Sequence, residues 1–173
     1  MSDDHISETE AEERLWDALE DTRTGMLGLM AKGADGRHQH FQPMTGFEEP
    51  EMKRLWFFTR DDTDLAQAVA AGQGEAMYTV VTDDKKIYAC LSGRLSIRKD
   101  RDRIDEYWNP VVAAWYPEGG KDDPHLTLLC FELEDARVWF NDKGPVMFMV
   151  EVAKANVTRS FPDSGERKDV TFQ

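Results

Sequence analysis

Residues 87–98 alternate with a period of two: Ile87, Ala89, Leu91, Leu95 and Ile97 fall on one side, Ser92, Arg94, Ser96 and Arg98 on the other. Successive side chains of an extended backbone point to opposite faces, so this pattern requires a half-buried strand. Gly93 falls in the apolar series, where a missing side chain admits a bulge or the close approach of another backbone. Five more strand-like segments keep this one company. They are 25–31, a return strand at 37–44 after the turn Gly33-Ala34-Asp35-Gly36, 54–59, 76–82, and a long strand or strand pair at 126–140. The 54–59 segment carries bulky side chains on both faces and reads as a buried central strand.

Helices interrupt the strands without a regular β-α-β alternation. Ser7 and Glu10 form a capping box that opens a helix running to about residue 21, with Ala11, Leu15, Ala18 and Leu19 at helical spacing. A short helix is expected at 62–71. Ile104, Tyr107, Trp108, Val111, Val112 and Trp115 repeat at 3.6 spacing across Pro110, and Asn109 is a good N-cap, so two successive short helices are expected. On this spacing Trp108 and Trp115 share a helix face. Val146, Met149, Val150, Ala153 and Val157 mark a last amphipathic stripe. Strands with inserted helices predict a mainly β (α+β) antiparallel barrel in place of a Rossmann sheet. The division expected is one domain over 1–160, with an acidic N-terminal helix, and a polar tail over 161–173.

Charge narrows the function classes. The net charge is −13, and residues 3–21 supply −8 of it through nine acids and one base. Nucleic-acid affinity comes mainly from clustered Lys and Arg, so a nucleic-acid partner is not expected. No apolar run approaches the roughly 20 residues that span a bilayer, and the acidic N-terminus does not resemble a secretory signal. A cytoplasmic protein without a membrane partner is the expectation.

Several constellations carry little chemistry. His38 and His40 share a strand face, but no third or fourth ligand completes a metal set, and His5 and His125 stand isolated in the sequence. Cys90 and Cys130 sit among apolar neighbours and read as buried structural thiols. No G-x-S-x-G, G-x-G-x-x-G or P-loop pattern is present. The run Leu55-Trp56-Phe57-Phe58-Thr59 is more informative, because a bulky strand ends in a hydroxyl directly before a helix start. Free N–H groups there suit a phosphate, with Thr59 or Thr63 as further donors, though a core strand followed by a capped helix explains the same residues.

The ordered set Pro43-Met44-Thr45, Leu55-Trp56-Phe57-Phe58-Thr59, Ser92-Gly93-Arg94-Leu95, the run from Trp108-Asn109-Pro110 to Ala114-Trp115-Tyr116, Asp122-Asp123-Pro124, Leu128-Leu129 and Ala136-Arg137-Val138-Trp139 resembles the general stress protein branch of the pyridoxamine 5'-phosphate oxidase-like flavin-binding split barrels. The resemblance covers about residues 10 to 160. It implies a six-stranded antiparallel split barrel that forms a homodimer, with two flavin sites at the interface holding FMN, or else FAD. Phe41, Gln42, Pro43, Met44, Phe57, Phe58 and Thr59 would contact the flavin from one subunit, with Trp108 and Trp115 lining the pocket from the other.

Two departures accompany it. The family's common Arg before Pro-Met is Gln42, which lacks the bidentate grip of a guanidinium on phosphate. Where the oxidase relatives carry a further Lys or Arg, the stretch reads Arg60-Asp61-Asp62-Thr63-Asp64, leaving Arg60 and Thr63 to meet the phosphate. The resemblance implies an FMN-binding general-stress-type protein, with oxidoreductase chemistry on a small molecule that the sequence does not name. A non-catalytic flavin carrier or sensor and a cofactor-free interaction dimer are the alternatives.

Overall fold

The computed structural model describes residues 6–33, 36–37, 39–141, 143–159 and 165–172. The chain opens with α1 (Glu8–Thr22), capped by the Ser7 hydroxyl, which accepts the Glu10 N–H. Strands β1 (Thr24–Leu29), β2 (Gln42–Thr45), β3 (Phe47–Glu49) and β4 (Arg54–Arg60) follow, then α2 (Asp64–Ala70), β5 (Glu75–Val81) and β6 (Ile87–Arg98). Two short helices, α3 (Arg101–Tyr107) and α4 (Pro110–Ala113), precede β7 (Leu126–Phe140), α5 (Gly144–Thr158) and β8 (Glu166–Thr171).

The eight strands among the described residues form one antiparallel sheet in the order β2-β1-β5-β6-β7-β4-β3, with β8 added alongside β7. Leu27 and Leu29 of β1 and Leu55 and Phe57 of β4, near opposite ends of that order, pack in the same apolar cluster with Tyr78, Leu91, Phe131 and Val138. The sheet therefore curls into a split barrel, and α1 closes it with Ala11, Leu15, Trp16 and Leu19. A second cluster lies outside: α3 and α4 pack Ile104, Val112 and the following Tyr116 onto Phe47, Trp56, Leu128 and Cys130.

The expected bulge is present, with the β6–β7 register shifting between Ser92 and Gly93. A β-carbon at Gly93 would lie 2.1 Å from the Glu132 carbonyl oxygen, so only glycine permits this approach. The Pro110 break also forms as expected. Asn109 caps α4 by accepting the Val111 and Val112 N–H groups, and Pro110 takes the first helical position.

Four expectations need correction. Among the described residues the strand count is eight, not six, because β3 has only three residues and β8 has no apolar pattern. Within β8 only Val170 is buried; edge pairing to β7 and an Arg137–Asp169 ion pair at 2.6 Å hold it. The return strand expected at 37–44 is confined to Gln42–Thr45, since the polar residues before it have no strand partner; Ala34, Asp35 and His38 fall outside the described residues. Trp108 and Trp115 do not share a helix face, because Trp108 stands at the break between α3 and α4, where the helical phase is lost. The stripe on α5 faces outward: Val146, Met149, Val150 and Val157 are exposed, and Ala155 is buried instead.

Candidate functional site

A cleft of about 730 Å³ opens between β1, the segment entering β2, and α2. Its floor is Leu27, Gly28 and Leu29, and α2 contributes Asp64, Leu65, Gln67 and Ala68. Arg37, Gln39, His40, Phe41, Gln42 and Gln73 complete the wall. Phe41 is placed by Gly28: a β-carbon there would sit 2.1 Å from the ring, so the ring rests on bare backbone. The amide side chains are tethered, with Gln39 Nε2 donating to Gln73 Oε1 at 3.4 Å and Gln73 Nε2 to the Lys32 carbonyl at 3.1 Å. The cleft thus joins an apolar floor to a wall rich in polar side chains, Arg37, Gln39, His40, Gln42, Asp64, Gln67 and Gln73, which is more polar than the usual small-molecule site.

Of the residues expected from sequence, Phe41 and Gln42 line this cleft. Pro43 and Met44 continue along β2, where Pro43 is exposed and Met44 packs against the barrel core. Phe57 is fully buried in that core, so its ring is turned away from any surface ligand. Phe58 faces the other way and meets Trp108 edge-on at 6.1 Å between centroids. Trp115 stands apart, 72% exposed.

Thr59, Arg60 and Thr63 come together at the β4–α2 turn. Thr59 Oγ1 lies 3.2 Å from Thr63 Oγ1, and Thr63 donates to the Arg60 carbonyl at 2.8 Å while accepting the Ala66 N–H. The Thr63 oxygen thereby serves as an ordinary helix N-cap, and its proton is used locally on the Arg60 carbonyl. The Tyr116 hydroxyl donates to the Thr59 carbonyl at 2.6 Å, and burial pushes that phenol up to about 12. Arg60 grips Asp62 with two guanidinium nitrogens, at 3.3 and 3.2 Å, and the carboxylate raises its pKa.

The fold also gathers residues that looked scattered. His125 Nδ1 lies 2.8 Å from Asp61 Oδ1, and one ligand atom each from Asp61, Asp62 and His125 falls within 4.8 Å of the others. The first two precede α2 and the third precedes β7, and β4–β7 pairing brings them together. All three are exposed, and Asp62 is already held by Arg60. Cys130 is buried as expected and burial pushes it up to about 11, whereas Cys90 is only half-buried, its value raised by that partial burial; both shifts lead away from thiolate reactivity. The contribution of β1 and of α2's inner side to the cleft was missed, since nothing in those apolar residues distinguishes cleft wall from core. Gly25 and Gly28 within a strand were the available signal.

The sequence profile described as "Pyridoxamine 5'-phosphate oxidase like" matches residues 10–163, nearly the whole chain. The chain belongs to the pyridoxamine 5'-phosphate oxidase-like family. Within that family it is similar to general stress protein 26 of Bacillus subtilis (strain 168), 23% identical over 146 residues, covering 82% of this chain and 97% of the relative. A solved structure from Jannaschia sp. CCS1, described as a candidate general stress protein 26, is 38% identical with a TM-score of 0.75. It covers 95% of this chain and 99% of its own. Another, described as the general stress FMN/FAD binding protein of Xanthomonas citri, is also 38% identical, with a TM-score of 0.68 over 79% of this chain and 93% of its own. The family fold therefore accounts for the split barrel, and among the described residues no helix is long and apolar enough to cross a membrane.

Proposed function

We propose that this family member binds a flavin, FMN in preference to FAD, in the cleft between β1, the segment entering β2, and α2, and that it works as a cytoplasmic homodimer. The observation that carries the reading is the cleft itself: about 730 Å³, floored by aliphatic strand residues, walled by the Phe41 ring and lined by the amides of Gln39, Gln42, Gln67 and Gln73. An aromatic ring and apolar floor suit the faces of an isoalloxazine, and amides suit its carbonyl and N–H edge. Arg37 on the same wall supplies the guanidinium that Gln42 does not. The Xanthomonas citri relative described as FMN/FAD binding supports the same ligand class.

The second copy belongs on the outer sheet face. Tyr88 and Trp139 pair across β6 and β7, Val81 pairs with Tyr88, and these with Met26 leave apolar surface about two-fifths exposed or more. The cleft opens beside this face through Gly28 of β1, two residues from Met26. A partner seated there brings its own aromatic residues to the cleft, and the exposed Trp115 is suited to that task. A bound flavin supplies one- and two-electron transfer, and the chain's residues orient it and exclude water. Oxidoreductase turnover of a small molecule is the use proposed for this site, and a non-catalytic carrier or sensor role is the alternative.

One observation favours the cofactor-free dimer instead: Asp64 stands on the cleft wall and Asp62 occupies Arg60, placing acids where a phosphate dianion approaches. A visible spectrum of the purified protein, before and after loading with FMN and desalting, separates the two. A retained flavin band supports the binding reading. Complete release of added FMN and FAD refutes it.

A further inference from the structure

Residues 30–41 join β1 to β2, and the cleft-wall residues Arg37, Gln39, His40 and Phe41 lie on this connection. One side chain ties it down at two points. Gln73 Nε2 donates to the Lys32 carbonyl at 3.1 Å, and Gln73 Oε1 accepts from Gln39 Nε2 at 3.4 Å. An amide carries both donor and acceptor, so one glutamine holds two points that a carboxylate or an ammonium could not hold together.

Gln73 is itself fixed from both sides. At the end of α2 the Gly72 N–H donates to the Val69 carbonyl and the Gln73 N–H to the Ala68 carbonyl, both at 3.0 Å. That pair of bonds is the Schellman closure of a helix, and Gly72 takes the positive φ it requires, 95°. On the other side the Gly74 carbonyl accepts the Leu95 N–H of β6 at 2.8 Å. The amide therefore stands on a fixed post between α2 and the sheet, and reaches chain 34 and 41 positions away in sequence.

We infer that Gln73 is a positioning residue for the cleft: by holding Lys32 and Gln39 it sets where Arg37 and Phe41 stand, and so how long a flavin stays bound. Arg37 lies between the two tethered residues, and Phe41 follows Gln39 by two. Gly28 supports the Phe41 ring from below, and Gln73 anchors the chain that carries it. Releasing Gln73 frees, in one step, the guanidinium proposed to meet the phosphate and the ring proposed to meet the isoalloxazine. The inference rests on the flavin reading above, and its structural half is measured without flavin.

Limited trypsin digestion of the unliganded full-length chain reads that half. Lys32 and Arg37 are exposed cleavage sites within the connection, and Lys85 and Lys86, exposed on the β5–β6 turn, are internal controls. Gln73→Ala is expected to raise cleavage after Lys32 and Arg37 roughly tenfold, the worth of two hydrogen bonds, with cleavage after Lys85 and Lys86 unchanged. FMN dissociation from the loaded protein, followed by recovery of flavin fluorescence, should quicken by the same roughly tenfold, while association changes less than about twofold. Gln73→Glu keeps the size and the acceptor but sets a carboxylate against the Lys32 carbonyl, so it should behave as Gln73→Ala does. Wild-type behaviour of Gln73→Glu overturns the inference in favour of ordinary packing, and equal acceleration at Lys85 and Lys86 overturns it in favour of general destabilisation. If the wild type releases all added FMN, the flavin reading fails and the residence claim with it. If the wild type retains FMN and Gln73→Ala loses it no faster, the flavin reading stands and the inference falls.

Discussion

Replacing Gly28 with alanine adds one methyl group at the floor of the cleft, and the geometry sets its consequence. The new β-carbon would lie 2.1, 2.5 and 2.6 Å from three atoms of the Phe41 ring, where ordinary contact begins at 3.4 Å. The backbone at Gly28 is pinned by pairing with Met77 on β5, so the ring must yield by about 1.3 Å or more. It has room to do so only by moving within the cleft wall. Overpacking of this kind costs about 1–3 kcal/mol of stability, and a domain of this size loses roughly 2–4 °C in Tm for each kcal/mol. A ring displaced across the flavin site is expected to weaken FMN binding roughly tenfold, or about 1.4 kcal/mol. Titration of FMN against protein, followed by quenching of flavin fluorescence, measures the affinity, and thermal unfolding measures the stability. The decisive arm is the double mutant: with Phe41→Ala there is no ring to displace, so Gly28→Ala should then be close to neutral in both assays. An unchanged affinity for Gly28→Ala alone, or an equal loss in the Phe41→Ala background, refutes the claim that Phe41 on Gly28 shapes the site.

Three further outcomes are expected. Gln42→Arg places a guanidinium on the cleft wall and should tighten FMN binding by roughly tenfold to a hundredfold, as one charge-assisted hydrogen bond allows; no gain in the fluorescence titration means the phosphate does not lie near residue 42. Tyr116→Phe removes the donor to the buried Thr59 carbonyl and should cost about 1–3 kcal/mol in urea unfolding, while the wild-type spectrum keeps this phenol un-ionised until pH approaches about 12. Glu12 is held below its ordinary value of 4.5, because burial, which pushes it up, is outweighed by Lys53 and by the Trp16 indole N–H at 3.1 Å. A folded-state value below the unfolded one stabilises above about pH 4.5 and is lost as pH falls through the lowered value. Glu12→Gln should therefore be less stable than wild type at pH 6, with the gap closing on acidification; a gap independent of pH would remove the carboxylate from the account.

The chain's local grammar was legible wherever one element sufficed to specify itself. The alternation of 87–98 as far as Leu95, the Ser7 cap of α1 and the Asn109-Pro110 restart at α4 formed as read, because period, caps and proline constraints act within a few residues, while Ile97 at the strand's end is exposed. Even the Gly93 bulge was visible, since a glycine in an apolar series has few other reasons to be there. The family was legible through ordered motifs, each weak by itself. By contrast β8 was invisible: its polar residues pair at a sheet edge, where hydrogen bonds to β7 do the work that hydrophobic alternation does elsewhere.

The site shows the same division. Phe41 and Gln42 were readable from their motif, but Leu27, Gly28, Gln39, Gln67 and Gln73 join them only through the fold. Apart from Gln39, those residues lie more than ten positions from Phe41 in the chain, and a cleft is a property of distances that no local pattern carries. Phe57 and Phe58 are adjacent in the motif, yet strand geometry sends one ring into the barrel and the other against Trp108. The α5 stripe makes the point most sharply. Its spacing alone determined that one helix face is apolar, while only the tertiary structure decided that this face points to solvent, because Ala155 and not the stripe meets the body of the protein. Periodicity states that a face is apolar; which way it points is set by the packing of the whole chain.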